Sequence, residues 1–397
     1  MEFLDLYPVA SIINRENYCM AETNAVRPGE EIDVASLAAF LSSELRLDTA
    51  EINVEQFPAG SSNLTYLVHV GGTEYVLRRP PFGNTVKSAH DMHREFDVLS
   101  KLSKFYPPAP KPLLFASDES IIGSEFYLME RREGLIIRGN IPGTHTLGVP
   151  PLGGKPANNE PPKGGTSSSD GLETSQDFRL KVARSFIQNL ADLHSLDYAK
   201  AGLENLGRAE GYNRRQVEGW TKRYFAAKTD EHTELESAIT WLNANIPPES
   251  GASLIHNDYK FDNVMLDPAD LTRVTAVLDW EMVTLGDPLM DLGTTLGYWM
   301  SADAGEEMMG ATFNPRVLME NISRRDLVDM YAQAVGREIP DIIFYYTYGT
   351  FKIAAICQQI YARYVKGFTK DPRFAGFDKF VRALGQIAHH SIQVQRM

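Results

Sequence analysis

Leu254-Ile255-His256-Asn257-Asp258-Tyr259-Lys260-Phe261-Asp262-Asn263-Val264-Met265-Leu266, with Val274-Thr275-Ala276-Val277-Leu278-Asp279-Trp280-Glu281 shortly after it, sets the architecture expected of the chain. The apolar runs at 264–266 and 274–278 read as two short strands, with polar residues on the turns beside them. Asp258 is followed five positions later by Asn263, and Asp279 is expected to end the second strand. Phosphoryl transfer from a nucleotide requires such groups in this order. One carboxylate takes or orients the proton of an attacking hydroxyl. An amide oxygen and a second carboxylate hold magnesium against the phosphates. Each residue alone reads equally as a turn cap; the spacing of the three favours the chemical reading.

Outward from this block, composition sets bounds. The chain has 397 residues, more than one core of ordinary size accommodates, so two lobes are expected. It is 43% hydrophobic and 23% charged, with a formal net charge of −13. An acidic balance argues against nonspecific nucleic-acid binding. Cys19 and Cys357 are its only cysteines, which fits a reducing compartment and excludes a cysteine metal cage. There is no run of the ~20 apolar residues that span a bilayer, and no signal-peptide pattern at the start. The expectation is a soluble cytoplasmic protein, with no nucleic-acid or membrane partner.

Upstream, residues 32–45 repeat apolar positions at helical spacing and 52–57 alternate like a strand. The small-residue loop 58–63 contains Ser61, Ser62 and Asn63, and leads into strands at 64–70 and 74–79 joined by Gly71-Gly72, a hairpin signal. The loop could bring amides and hydroxyls to phosphates or be a plain turn. Arg78 nears the end of the second strand. A helix is expected to start on Ser88 and run to Leu102, with Glu95 placed to pair with Arg78 or to lie solvated. Strands at 113–116 and 125–130 end on Met129-Glu130, before the charged run Arg131-Arg132-Glu133-Gly134, a natural lobe boundary. Residues 139–176 are rich in Gly, Pro, Ser and Thr, and read as a flexible insertion.

The remainder reads as helical: 178–193 ending at a packing His194, a helix after Tyr212, one capped by Asp287-Pro288, one opened by a Ser323 capping box, and a long one at 341–365. Asp287 and Asp291 read as a helix cap and a buried brace.

The segments Gly60-Ser61-Ser62-Asn63-Leu64-Thr65-Tyr66, Tyr75-Val76-Leu77-Arg78-Arg79-Pro80-Pro81, the catalytic block, 286–298 and 351–365 together resemble the aminoglycoside phosphotransferase-like family of small-molecule kinases. Within that family the chain resembles the subgroup related to the kinase-like domains fused to acyl-CoA dehydrogenases. The resemblance implies an α+β, bilobal protein-kinase-like fold. An antiparallel-sheet N-lobe is expected over residues 1–130 and a mainly helical C-lobe over 131–397. It implies Asp258 as catalytic base, Lys260 touching the transferred phosphoryl, and His256 bracing the loop. Asn263 and Asp279 would be magnesium ligands. Ser61, Ser62, Asn63 and Arg78 would serve the nucleotide phosphates, Glu95 would orient Arg78, and Met129 and Glu130 would receive the adenine. The implied activity is ATP- and Mg2+-dependent transfer to a hydroxyl of an aminoglycoside-like compound, a hydroxyacyl compound or another metabolite alcohol. GTP stays open, as does monomer or homodimer. The alternative is a noncatalytic kinase-fold scaffold for a nucleotide or acyl ligand. Two departures stand out: Arg78 where kinases commonly have lysine, and Asn257 where many relatives have glycine. Asp279-Trp280-Glu281 replaces Asp-Phe-Gly, and there is no long activation segment, both unlike a protein kinase. Arg208, Arg214 and Arg215 are candidate receivers of an anionic acceptor.

Overall fold

The computed structural model describes residues 23–46, 48–49, 51–57, 63–81, 91–137, 175–299, 316–339, 341–369 and 371–397. Its N-terminal part is a five-stranded antiparallel sheet: β1 (Ile52–Gln56), β2 (Leu64–Val70), β3 (Thr73–Arg79), β4 (Pro112–Ala116) and β5 (Phe126–Glu130), in the order β1-β2-β3-β5-β4. β2 and β3 are joined at Val70↔Thr73 by Gly71 and Gly72, both with positive φ (54° and 78°). A two-residue turn matching the twist of the strands needs that conformation, and glycine adopts it at least cost.

Strand alternation sorts the side chains onto two faces. Leu77, Phe126 and Leu128 join the cluster under α1 (Val34–Leu45), where Leu37 and Leu41 are fully buried. Val76, Tyr127 and Met129 face the other way, into the cluster that holds Val98 and Leu99 of α2 (Met92–Leu102). By the same alternation Arg78 falls on the α2 side. Arg79 falls on the α1 side, where it donates to the Ile122 carbonyl at 2.8 Å. The expected cap of α2 is corrected: Asp91, not Ser88, accepts from the Arg94 N–H. Ser88 lies outside the described residues, as do Ser61, Ser62 and almost all of 139–176.

The C-terminal part is mainly helical. It contains α3 (Gln176–His194), α4 (Tyr212–Ala227), α5 (Thr233–Ala244), α6 (Pro288–Tyr298), and helices at Arg316–Met319, Arg324–Val335, Ile343–Val365 and Phe377–Val394. Two small antiparallel pairs carry the loops of interest: β6 (Ser253–Ile255) with β9 (Thr284–Gly286), and β7 (Val264–Asp267) with β8 (Asp270–Val277). A second correction concerns Asp279. β8 stops at Val277, and Asp279 lies beyond it with φ 66° and ψ 67°. Asp287 caps α6 by accepting from the Leu289 N–H, with Pro288 in the first turn, and Ser323 and Asp326 close the expected capping box.

α6 and the long helix Ile343–Val365 cross almost backbone to backbone. A Cβ on Gly293 would stand 2.1 Å from the Tyr345 carbonyl oxygen, and one on Gly349 equally close to that of Gly293. This approach brings the long helix beneath the 256–263 loop. Among the described residues no helix is long and apolar enough to cross a membrane.

Candidate active site

Asp258 lies on the loop between β6 and β7, and its two carboxylate oxygens are held differently. Oδ2 accepts from Lys260 Nζ at 2.7 Å and from Asn263 Nδ2 at 2.9 Å. Oδ1 accepts from the Tyr298 hydroxyl at 2.8 Å. Burial pushes the Asp258 carboxyl up, but the Lys260 ammonium, its hydrogen bond and that of Tyr298 outweigh this. The group is therefore held below the ordinary carboxylate range, ionised at neutral pH and able to take a proton.

The turn before Asp258 is anchored on every side. Asn257 has φ 68°, a left-handed conformation that asparagine tolerates better than most residues. This explains how asparagine serves at a position whose backbone favours glycine. Its N–H and that of His256 both donate to the buried Asp291 carboxylate at 2.7 Å. Its side chain accepts from the Tyr212 hydroxyl at 2.9 Å and donates to the Met282 carbonyl at 3.0 Å. His194 completes the brace, lying between Asp291 at 3.1 Å and the Tyr331 hydroxyl at 2.7 Å. The His256 ring takes the Asp258 N–H on Nδ1 at 3.2 Å and donates from Nε2 to the Leu278 carbonyl at 2.9 Å. One accepting and one donating nitrogen define a neutral imidazole, and burial lowers its pKa to match.

Asn263 and Asp279 are tied through the backbone: the Leu278 N–H donates to the Asn263 carbonyl at 2.8 Å. With its amide nitrogen turned to Asp258, Asn263 leaves its side-chain oxygen as the available donor. Asp279 has a third of its side chain exposed (34%) and spends one oxygen on Arg78. No cluster of three or more His, Cys, Asp or Glu among the described residues is arranged for a metal. Two hard oxygen donors suit magnesium, which commonly keeps waters and substrate phosphates as its other ligands. The donor set therefore fits that ion.

Arg78 links the sheet to this loop. Nη1 meets Glu95 at 2.7 Å and Nη2 meets Asp279 at 3.1 Å. Serving two carboxylates with separate nitrogens of one planar fork is what arginine does and lysine does not, which accounts for the first departure. Burial opposes the guanidinium charge, but Glu95 in particular more than restores it. Asn63, at the start of β2, donates to Glu281 at 3.1 Å, and Arg94 of α2 donates to the Glu281 and Val283 carbonyls. Residues of β3, α2 and the approach to β2 thus meet around Asp279-Trp280-Glu281.

Met129 is buried at the end of β5. The Glu130 side chain is engaged by the Lys111 N–H and by Arg132, each at 2.7 Å. The connector beyond it is fastened to β7 by reciprocal backbone bonds between Leu135 and Leu266. Arg215 is turned onto the backbone carbonyls of Arg208 and Glu210, and Arg214 pairs with Glu218 at 3.6 Å.

Two neighbours of Asp258 escaped the sequence reading, Tyr298 and Lys352. Lys352 carried a signal: it is a lone cation inside an aromatic, apolar helical run. It is buried, donates to the Asn257 carbonyl at 2.5 Å, and stands 5.9 Å from the Trp220 ring. Burial lowers its pKa from 10.5 to about 8 against the pull of Asp258 and Asp291. Below about 8 the ammonium clamps the turn by a charge-assisted bond; as pH rises through that value the charge is lost and the clamp weakens. Turnover should fall severalfold across that interval, and Lys352→Met should be slow and lack this alkaline limb. A pH–rate profile of the two proteins checks it. The stability contribution has the opposite sign. The unfolded lysine keeps its proton to higher pH, so the burial penalty is full below about 8 and fades toward the ordinary lysine value.

The family model described as "Phosphotransferase enzyme family" matches residues 53–147 and 162–315. The chain is 34% identical over 372 residues to acyl-CoA dehydrogenase family member 11 of Gallus gallus, a match covering 92% of this chain and 44% of that protein. The chain thus spans less than half the length of that relative. A crystal structure from Ralstonia eutropha, provisionally titled an aminoglycoside phosphotransferase, superposes with a TM-score of 0.70 at 28% identity, covering 92% of this chain and 99% of the other. A thermostable mutant of aminoglycoside phosphotransferase APH(4)-Ia, solved as a ternary complex with AMP-PNP and hygromycin B, gives 0.50 at 15% identity, covering 88% and 98%, a likeness of fold alone.

Proposed function

The chain belongs to the phosphotransferase enzyme family, and from that premise we propose that it moves the γ-phosphate of ATP, with Mg2+, to a hydroxyl of a small molecule. The observation that carries this reading is the convergence on one cleft of an ionised Asp258, Asn263 bonded to it, and an Asp279 held by Arg78 from the sheet. On this reading Asp258 takes the acceptor's proton, and Lys260, bonded to Asp258, faces the phosphoryl group in transit. Asn263 and Asp279 hold the magnesium, which neutralises charge on the phosphates. Arg78, braced by Glu95, and Asn63 serve the phosphates with Ser61 and Ser62. The backbone at Met129 and Glu130 receives the adenine.

Among acceptors, an alcohol bearing a carboxylate or phosphate, such as a hydroxyacyl compound, is favoured over a polycationic aminoglycoside. Lys260 and the buried Lys352 bring positive charge to Asp258. The exposed Arg223, stacked 4.6 Å from the Trp220 ring that Lys352 also meets, adds more. Such a cluster repels a cation and receives an anion. The experiment is ATP consumption against a panel of hydroxy acids, their thioesters and phosphates, and aminoglycosides. Turnover with an anionic alcohol supports the reading. Nucleotide binding without magnesium, together with no transfer to any acceptor, would replace it with a noncatalytic scaffold.

A further inference from the structure

We propose that Tyr298 screens what reaches the base: its phenol occupies, on Asp258, the place that an acceptor hydroxyl must take. The inference rests on the phosphotransferase reading and extends it to a residue at the end of α6. Asp258 Oδ2 is bound by a cation at 2.7 Å and an amide at 2.9 Å, whereas Oδ1 carries the Tyr298 hydroxyl at 2.8 Å. The carboxylate is ionised, so all three bonds are charge-assisted, but only on Oδ2 does a cation meet the anion, with a second donor beside it. Oδ1 is therefore the oxygen whose partner exchanges at least cost.

A phenol and an alcohol offer a carboxylate the same donor. Tyr298 is almost fully buried, and burial together with the Asp258 charge keeps its phenol protonated. The Lys260 ammonium stands 4.8 Å from the centre of its ring, fixing the ring beside the base. The phenol is thus a tethered substitute for the substrate hydroxyl. A lone water that displaced it would exchange one hydrogen bond to the carboxylate for another of the same kind and gain nothing. An acceptor that also binds elsewhere in the cleft gains those contacts and can take the place. Tyr298 accordingly suppresses the wasteful reaction. In that reaction a water oxygen attacks the γ-phosphorus, the bond to the bridging oxygen breaks, Asp258 takes the water's proton, and ADP and phosphate leave.

The test is phosphate release from MgATP without acceptor, using the whole chain, in the wild type and in Tyr298→Phe, which removes only the oxygen. Release should rise about tenfold or more, the effect of deleting one hydrogen bond to a charged group, with MgATP affinity unchanged. Tyr298→Leu should change release in the same direction. The rise should vanish when Asp258→Asn is added. A residue that merely supported the loop would lower release on substitution, so unchanged or reduced hydrolysis overturns the inference, as does a rise that survives Asp258→Asn. If titration shows that neither protein binds MgATP, the phosphotransferase reading falls too; binding without a rise rejects the role of Tyr298 alone.

Discussion

Asp258→Asn should lower turnover by about 10²–10⁴-fold, the range that a positioned general base contributes. The carboxamide keeps the size and most of the hydrogen bonds of the carboxylate, so the loop has little reason to move. What it loses is the ability to take a proton. In the wild type the carboxylate is kept ionised, and so open to a proton, chiefly by the Lys260 ammonium despite burial. Nucleotide affinity should be nearly unchanged, because Asp258 lies on the acceptor side of the proposed chemistry. Steady-state rates with the best acceptor from the panel, beside a calorimetric titration of the nucleotide, separate the two effects. Turnover within tenfold of the wild type would remove Asp258 from the role of base.

Glu95→Ala should be the most destabilising single change near the cleft, costing about 3–5 kcal/mol. Glu95 has 1% of its side chain exposed and Arg78 has 10%, so truncating the carboxylate leaves a guanidinium in a dry place without its nearer carboxylate partner. That is a large fraction of the ~5–15 kcal/mol by which folded domains are stable. Removing the charge as well should recover much of the loss, so Glu95→Ala/Arg78→Met is expected to be more stable than Glu95→Ala alone. Urea unfolding of the three proteins gives the comparison. A single mutant as stable as the wild type would mean that the pair contributes nothing to holding β3 against α2.

Residues that announce themselves by local pattern were legible before any coordinates. Gly71-Gly72 stated a hairpin, Asp287-Pro288 a helix start and Ser323 a capping box, because each rests on backbone chemistry within a few residues. Arg78 at a strand end and Glu95 on the following helix were legible as candidate partners, with a solvated Glu95 left open; the structure pairs them at 2.7 Å. The misreadings have the same origin. Ser88 and Asp91 are both good caps, and helix propensity does not choose between them. Asp279 was placed at a strand end, whereas its backbone leaves the strand and turns left-handed, which carboxylate side chains tolerate. Tyr298 carried no local signal. It meets Asp258 across 40 positions of sequence, because α6 lies against the 256–259 turn, with Asp291 and Thr295 bonded to the backbone there. Such contacts are written in packing, and packing is not local.

The central claim is that Asn263 and Asp279 hold a divalent cation together with nucleotide phosphates. Manganese, which magnesium sites of this chemistry accept, can be followed directly by its paramagnetic resonance in the presence of AMP-PNP. The wild type should show one manganese bound in a nucleotide-dependent manner, and Asp279→Asn and Asn263→Ala should each weaken it by tenfold or more. Manganese that binds equally well to all three proteins, or without nucleotide, would contradict the account.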